Sequence, residues 1–287
     1  MSEAYGSFVI GEMAATAEIA PLSVIIPAYK AARSLPQAIQ SIMRQTVRPA
    51  EIIIVDDASP DDTIQVAEAL RHSLGADLVK CIRLTNNSGP ATARNAGWDA
   101  ATQQHIAFLD ADETWHERKV ECQFHWLKCH GDVRFCGHKA IRLVKAGQDF
   151  PPLPKEITVR SVKVTDLLFS SMFSTSSVTL DRTLPFRFTP GKRYAEDHLL
   201  WLQIACTGEP LYVMDAVLVA KHKLLGGGDG LSDRLLAMQG GALDTLWRLK
   251  KSGAISWPMA AAAATWSNIR FLRRLAILPL RLLGLSN

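Results

Sequence analysis

The sequence predicts an α/β fold, a mostly parallel sheet with helices on both faces. Three observations predict it: short apolar, β-branched runs alternate with stretches of helical period between Pro21 and Leu109; the runs are apolar throughout, as strands buried on both faces are; and acids or turn formers follow each run. Residues 22–27 form the first run, stopped by Pro27. A helix is expected over 34–45, with Leu35, Ala38, Ile39 and Ile42 on one face. The run 51–55 is almost wholly isoleucine and valine and ends at Asp56 and Asp57. The next helix begins near 61–63, where acids suit a helix N-terminus, and carries Ile64, Val66, Ala67 and Leu70. A third strand over 78–84, a helix over 90–101 and a fourth strand over 106–109 complete the pattern.

Composition sets outer bounds. The 287 residues are 48% hydrophobic and 21% charged, which excludes disordered, collagen-like and disulfide-scaffold classes and leaves room for one large domain with an appendage. A net charge of +4 is too slight to indicate a nucleic-acid partner. Five cysteines without a CxxC pair, and no basic residue before Lys30, point to a reducing cytoplasm rather than a secretory route. Residues 1–20 read as a loose leader.

In parallel sheets, ligands bind beyond the carboxyl ends of the strands. The residues there are Pro27, Ala28 and Tyr29; Asp56 and Asp57; 86–89, with sequence NNSG; and Asp110, Ala111, Asp112 and Glu113. Neither GxGxxG nor the Walker loop occurs at these positions, which argues against a nicotinamide or P-loop site. Two acids in alternate orientation at a strand end, Asp110 and Asp112, suit Mg²⁺ or Mn²⁺.

The segments SVIIPAYK (23–30), IIIVDDAS (52–59), NNSGPATARNAG (86–97) and IAFLDADE (106–113) resemble, in order and spacing, the nucleotide-binding half of family 2 glycosyltransferases. The resemblance implies the A-type glycosyltransferase fold, a Rossmann-like sheet fused to an acceptor-binding half. The domain layout expected is 21–235 for the transferase, with a nucleotide half over 21–115 and an acceptor half over 116–235, and a helical tail over 236–287. By the family pattern Asp112 ligates the metal, Asp110 lies near the ribose and metal beside Ala111, Asp57 faces a uracil, and Pro27, Ala28 and Tyr29 line the base pocket. Asp56 serves either the nucleotide or the turn that follows it. Arg94 lies near the nucleotide and the acids, a role compatible with a buried ion pair to Asp57 or Asp110. The segment 194–201 (YAEDHLLW) matches the family's Glu-Asp helix start, which makes Asp197 the expected base and Glu196 its alternative. His222 is expected to complete the metal sphere or touch the diphosphate, with Lys221 or Lys223 neutralising charge and the glycines of 226–230 forming a lid.

The function so implied is inverting transfer of a sugar from a UDP-sugar to a hydroxyl of a glycan or lipid-linked acceptor in surface polysaccharide or glycoconjugate assembly, with Mn²⁺ or Mg²⁺ as cofactor. The alternative is a non-catalytic sugar-nucleotide-binding scaffold on the same fold. Cys122, His125, Cys129, His130, Cys136 and His138 fit no paired zinc-ligand spacing and read as packing. Prolines at 151, 152 and 154 mark a loop between halves, and the Ser/Thr-rich stretch 170–179 is either an acceptor wall or a strand. In the tail, Arg270, Arg273, Arg274 and Arg281 share an arc of roughly 100° on a helix that Pro279 should kink or end. That face suits an anionic membrane surface, placing the protein on the inner membrane face, or packing against its own domain or a dimer mate.

Overall fold

A computed structural model of the chain describes residues 4–9, 18–143, 149–222 and 231–282. The expected alternation is present. Strand β2 (Ile19–Ala28) is followed by α1 (Leu35–Met43), β3 (Arg48–Asp56), α2 (Thr63–Leu74), β4 (Val79–Arg83), α3 (Pro90–Ala100) and β5 (His105–Phe108). These four strands pair in parallel in the order β5-β2-β3-β4. Val24, Ile25, Ile26 and residues 52–55 are wholly buried, as the uninterrupted apolar runs require. Alternate residues serve the two faces, Ile25, Ile53 and Val55 packing under α3 and Val24, Ile26, Ile52 and Ile54 under α1. Helix α3 lies close on the sheet because Gly97 has no side chain: a Cβ there would fall 2.4 Å from Ile25 Cγ2.

The second half extends the same sheet. It adds β6 (Glu113–Trp115), α4 (Lys119–Cys129), β7 (Phe135–Leu143), β8 (Glu156–Val162), α5 (Val164–Phe169), β9 (Thr179–Asp181), α6 (Glu196–Cys206) and β10 (Leu211–His222). With an edge strand β1 (Ala4–Val9), the order across the sheet becomes β1-β8-β10-β7-β9-β5-β2-β3-β4, with β6 paired to β10, so the first half is parallel and antiparallel pairs enter through the second half. Strand β10 joins the two apolar runs 211–214 and 217–220 across register shifts on either side of Val217. The region 155–190 resolves into β8, α5, a 3₁₀ turn at Thr175–Ser177 and β9, so the Ser/Thr-rich stretch supplies a turn and the start of a strand.

Two regions differ from their simplest reading. Within the expected leader, β1 (Ala4–Val9) pairs antiparallel with β8, using the hydrogen-bonding edge that strand would otherwise present to solvent. The C-terminal segment forms α7 (Leu231–Lys251) and α8 (Trp257–Leu282), which pack on each other and against α5 and α6. Leu246, Leu249, Ile255, Ala260 and Ala263 belong to the main core, and Lys192 donates to Gly241 O and pairs with Asp244 on α7. Pro279 does not end α8, which continues to Leu282; so near a helix end a proline removes little of the hydrogen-bond ladder. Among the described residues no helix is long and apolar enough to cross a membrane.

Candidate active site

The carboxyl ends of β2, β3 and β5, with the start of α3, open onto a cavity of about 530 Å³, within the size range of small-molecule and cofactor sites. Pro27, Ala28, Tyr29, Asp57, Arg94, Asp110, Ala111 and Asp112 all line it. Its far wall is Arg193 and Tyr194, from the segment that leads into α6. Of the residues expected at the nucleotide, Asp56 is the one that does not line this cavity. Its fully buried carboxylate accepts the Ser59 N–H at 3.1 Å and faces Arg83 at 3.4 Å, so it holds the turn beneath Asp57. Asp57 accepts backbone N–H bonds from Ser88 and Gly89, both at 2.8 Å, and so ties the NNSG loop to the end of β3. Each of its oxygens keeps a lone pair for a further donor.

Arg94, buried on α3, bridges the two halves. Its Nη2 donates to Asp110 Oδ1 and its Nη1 to Glu196 Oε1, both at 2.8 Å. Two carboxylates push the guanidinium pKa up despite its burial. The acids then divide by environment. Burial raises the Asp110 pKa, but Arg94 and Lys221 outweigh it and hold the group below its ordinary value. At Asp112 the balance reverses: burial and the Asp110 charge raise the pKa and outweigh the pull of Lys221 and His222. Glu113, buried and close to Asp110, is pushed up to about 7 although Lys221 pairs with it at 2.8 Å. Glu196 is raised by burial and by Asp197, against the pull of Arg94.

Asp197 lines a second cavity rather than this one. Its Oδ2 accepts from Thr175 Oγ1 at 3.0 Å and its Oδ1 from the His198 N–H at 2.7 Å. Ala195 enters α6 in the left-handed region, φ 55°, which turns the segment so that Arg193 and Tyr194 face one cavity and Ala195 and Asp197 another. His222 lies beside the acids without lining their cavity: its Nε2 is 2.8 Å from Thr114 Oγ1, and it lines a neighbouring pocket with Thr114 and His116. Lys223 and the glycines of 226–230 lie outside the described residues. Cys122 and Cys136 are buried thiols pushed up to about 12 by burial, whereas His125 is at the surface with Glu18, so the cysteines and histidines of this region are not gathered on one centre.

Lys30, Asn87, Arg193 and Tyr194 line the cavity without having been singled out. Lys30 and Asn87 sit inside the quoted motifs, and Arg193 directly precedes the Glu-Asp segment, so position was the available signal. Behind the acids, the Asp110 N–H donates to Ser176 Oγ and Trp115 Nε1 to Ser176 O, both at 3.0 Å. Lys119 closes this packing, with its fully buried Nζ 3.7 Å from the Trp115 ring centroid and 3.3 Å from Thr179 Oγ1. Burial pushes its pKa down to about 7. Because an unfolded lysine titrates near 10.4, the unfolded chain binds more protons between about pH 7 and 10.4, and this group's contribution to stability rises with pH across that window. Lys119→Met is therefore expected to be more stable than the native chain near pH 6, with the gap narrowing toward pH 10 in urea denaturation. A gap that widens with pH contradicts it.

Residues 23–174 match the profile of Glycosyl transferase family 2. The chain is 29% identical to TuaG of Bacillus subtilis, a glycosyltransferase named for teichuronic acid biosynthesis, over 71% of this chain and 79% of that protein. It is 29% identical to the Escherichia coli UDP-Glc:alpha-D-GlcNAc-diphosphoundecaprenol beta-1,3-glucosyltransferase WfaP, over 65% of this chain and 71% of that one. Among solved structures, S. aureus TarS 1-349 in complex with UDP-GlcNAc superposes with a TM-score of 0.59 at 19% identity, over 78% of this chain and 66% of that chain. Mannosyltransferase PcManGT from Pyrobaculum calidifontis, in complex with GDP-Man and Mn²⁺, gives 0.62 at 16% identity, over 90% of this chain and 75% of that chain. Those two likenesses are of fold, and that fold is the A-type glycosyltransferase fold. With more than half of its length matching the family profile, the chain belongs to Glycosyl transferase family 2.

Proposed function

We propose that the protein is a metal-dependent, inverting glycosyltransferase that moves a sugar from a UDP-sugar to a hydroxyl of a glycan or lipid-linked acceptor in surface polysaccharide assembly. The observation that carries this reading is the convergence of Tyr29, Asp57, Arg94, Asp110 and Asp112 on one cavity at the strand ends. The names of relatives that act in teichuronic acid biosynthesis or on diphosphoundecaprenol-linked sugars support the acceptor class.

The residues present fit a divalent cation. Among the described residues no three His, Cys, Asp or Glu side chains gather to hold one unaided. Mg²⁺-type sites commonly use only one or two carboxylates and take substrate phosphates for the rest. Asp112, raised by burial and by the Asp110 charge, is a carboxylate that a cation would stabilise in its ionised form. Asp112 and Asp110 would hold the ion, which when bound supplies positive charge at the diphosphate. The chain's own groups do the rest. Tyr29, 46% exposed, offers a ring face to the base, and Asp57 offers an acceptor to its imide N–H. Arg94 fixes Asp110 and Glu196 relative to each other across the two halves. Asp197 takes the proton of the acceptor hydroxyl as its oxygen attacks the anomeric carbon and the bond to the diphosphate breaks, a single displacement that inverts the centre.

The test is slow hydrolysis of a panel of nucleotide sugars with Mn²⁺ or Mg²⁺. A UDP-sugar is expected to be cleaved, and the absence of cleavage and of any thermal shift with every donor overturns the reading in favour of a scaffold.

A further inference from the structure

A second cavity, of about 360 Å³, lies between the α5–α6 region and the C-terminal helices. It abuts the nucleotide cavity across the Arg193–Asp197 segment, with Ala195 and Asp197 at that end. Its lining combines apolar and cationic side chains. Leu167, Leu246, Ala263 and Phe271 give apolar surface, and Arg270 and Arg274, one helical turn apart on α8, give two cations. Arg270 donates to Phe169 O at 3.2 Å, and among the described residues neither arginine has a carboxylate partner. A guanidinium has five N–H donors, so most of theirs are open to an anion. Burial lowers the His198 pKa, and although Asp197 raises it, Arg270 and Lys192 add to the lowering, as a cationic wall would. Beyond the arginines the surface of α7 and α8 exposes Leu236, Met238, Trp266, Ile269 and Leu272.

We propose that this cavity is the acceptor site for a glycan carried on a lipid diphosphate. The sugar hydroxyl reaches Asp197, the diphosphate lies against Arg270 and Arg274, and the start of the lipid chain follows the apolar wall toward the exposed side chains of α7 and α8. The lining offers a carboxylate, two cations and apolar surface, the three chemistries that the hydroxyl, diphosphate and chain of such an acceptor would meet. Planar, bidentate donors suit a diphosphate better than lysines would. A neutral glycan would leave the arginines without a counter-charge, and a free phosphate would leave the apolar wall unused. The inference rests on the transferase reading, because it takes Asp197 as the base.

Farnesyl diphosphate, which carries the diphosphate and an isoprenoid chain without a sugar, is the probe, and the fluorescence of Trp266 in the cavity wall reports its binding. Saturable binding is expected, weakened roughly tenfold or more in Arg270→Gln/Arg274→Gln, since hydrogen bonds to charged groups are the stronger kind. Arg274→Gln alone, whose side chain makes no hydrogen bond to the fold among the described residues, is expected to weaken binding too and guards against a folding defect in the double variant. Farnesol and inorganic pyrophosphate should each bind more weakly than the joined molecule. Unchanged affinity in both variants, displacement of the probe by UDP, or pyrophosphate binding as tightly as farnesyl diphosphate overturns the proposal. A thermal shift by UDP with Mn²⁺, measured on the same protein, judges the transferase reading separately: its absence sinks that reading whatever the probe does.

Discussion

Asp197→Asn is expected to lower turnover by roughly 10² to 10⁴, the range by which a positioned general base accelerates proton transfer, while UDP binding and the thermal midpoint stay near those of the native chain. Geometry separates Asp197 from its neighbour. Glu196 Oε1 is taken by Arg94 in a buried bond of 2.8 Å, and removing it from that pair would expose a buried cation. Asp197 instead is oriented by the Thr175 hydroxyl and by an N–H of its own helix, and lines the cavity next to the nucleotide site. Asparagine keeps the shape and can still accept from Thr175, so a loss confined to turnover reports the missing charge. Turnover at the native level would remove Asp197 from the role and return Glu196 to consideration.

Arg94→Met carries the largest expected effect on stability, a loss of about 3–5 kcal/mol, because it strands the buried Glu196 carboxylate and the partly buried Asp110 carboxylate together. Asp110 and Glu196 belong to different halves of the fold, and Arg94 is the side chain that joins them. Without it, burial and the neighbouring Asp112, Glu113 and Asp197 would drive the remaining acids toward protonation. Methionine keeps an apolar stem but removes the guanidinium, whose carbon lies 5.3 Å from the Phe188 ring centroid, so loss of that cation–π contact adds to the deficit. Denaturant unfolding measures it directly. A loss below about 1 kcal/mol would mean that the pair behaves as a solvated surface bridge.

The first half of the sheet was legible because its signals are local. Apolar runs such as 51–55 leave no choice of face, helices α1 and α3 begin and end within a few residues of their expected bounds, and α2 begins where its acids place it. The residues after those strands gather in one cavity for a topological reason, since parallel strands place all their carboxyl ends on one edge. Asp56 and Asp57 show the limit: adjacent acids at a strand end point oppositely, and composition does not say which one faces the ligand. The second half depends on distant partners. Strand β9 is three residues held between β5 and β7, and β1 is a short edge strand, so neither has a local signature strong enough to place it. The docking of α7 was hidden in Gly241, where a Cβ would meet Tyr194 Cβ at 2.6 Å, a contact no sequence period reveals. The arginine face of α8 was visible as a pattern; that Arg270 and Arg274 line a cavity ending at Asp197 required the fold.

Under the proposed function, the strand-end cavity binds a UDP moiety through a divalent cation held by Asp112. The most direct test of this is the thermal midpoint of the native chain and of Asp112→Ala, each with UDP alone, Mn²⁺ alone and both together. The native chain is expected to shift upward with UDP and Mn²⁺ together by more than the sum of the separate shifts, because ligand binding to the folded state alone raises its stability, and Asp112→Ala is expected to lose that excess. An equal excess in both proteins, or none in the native chain, would contradict it.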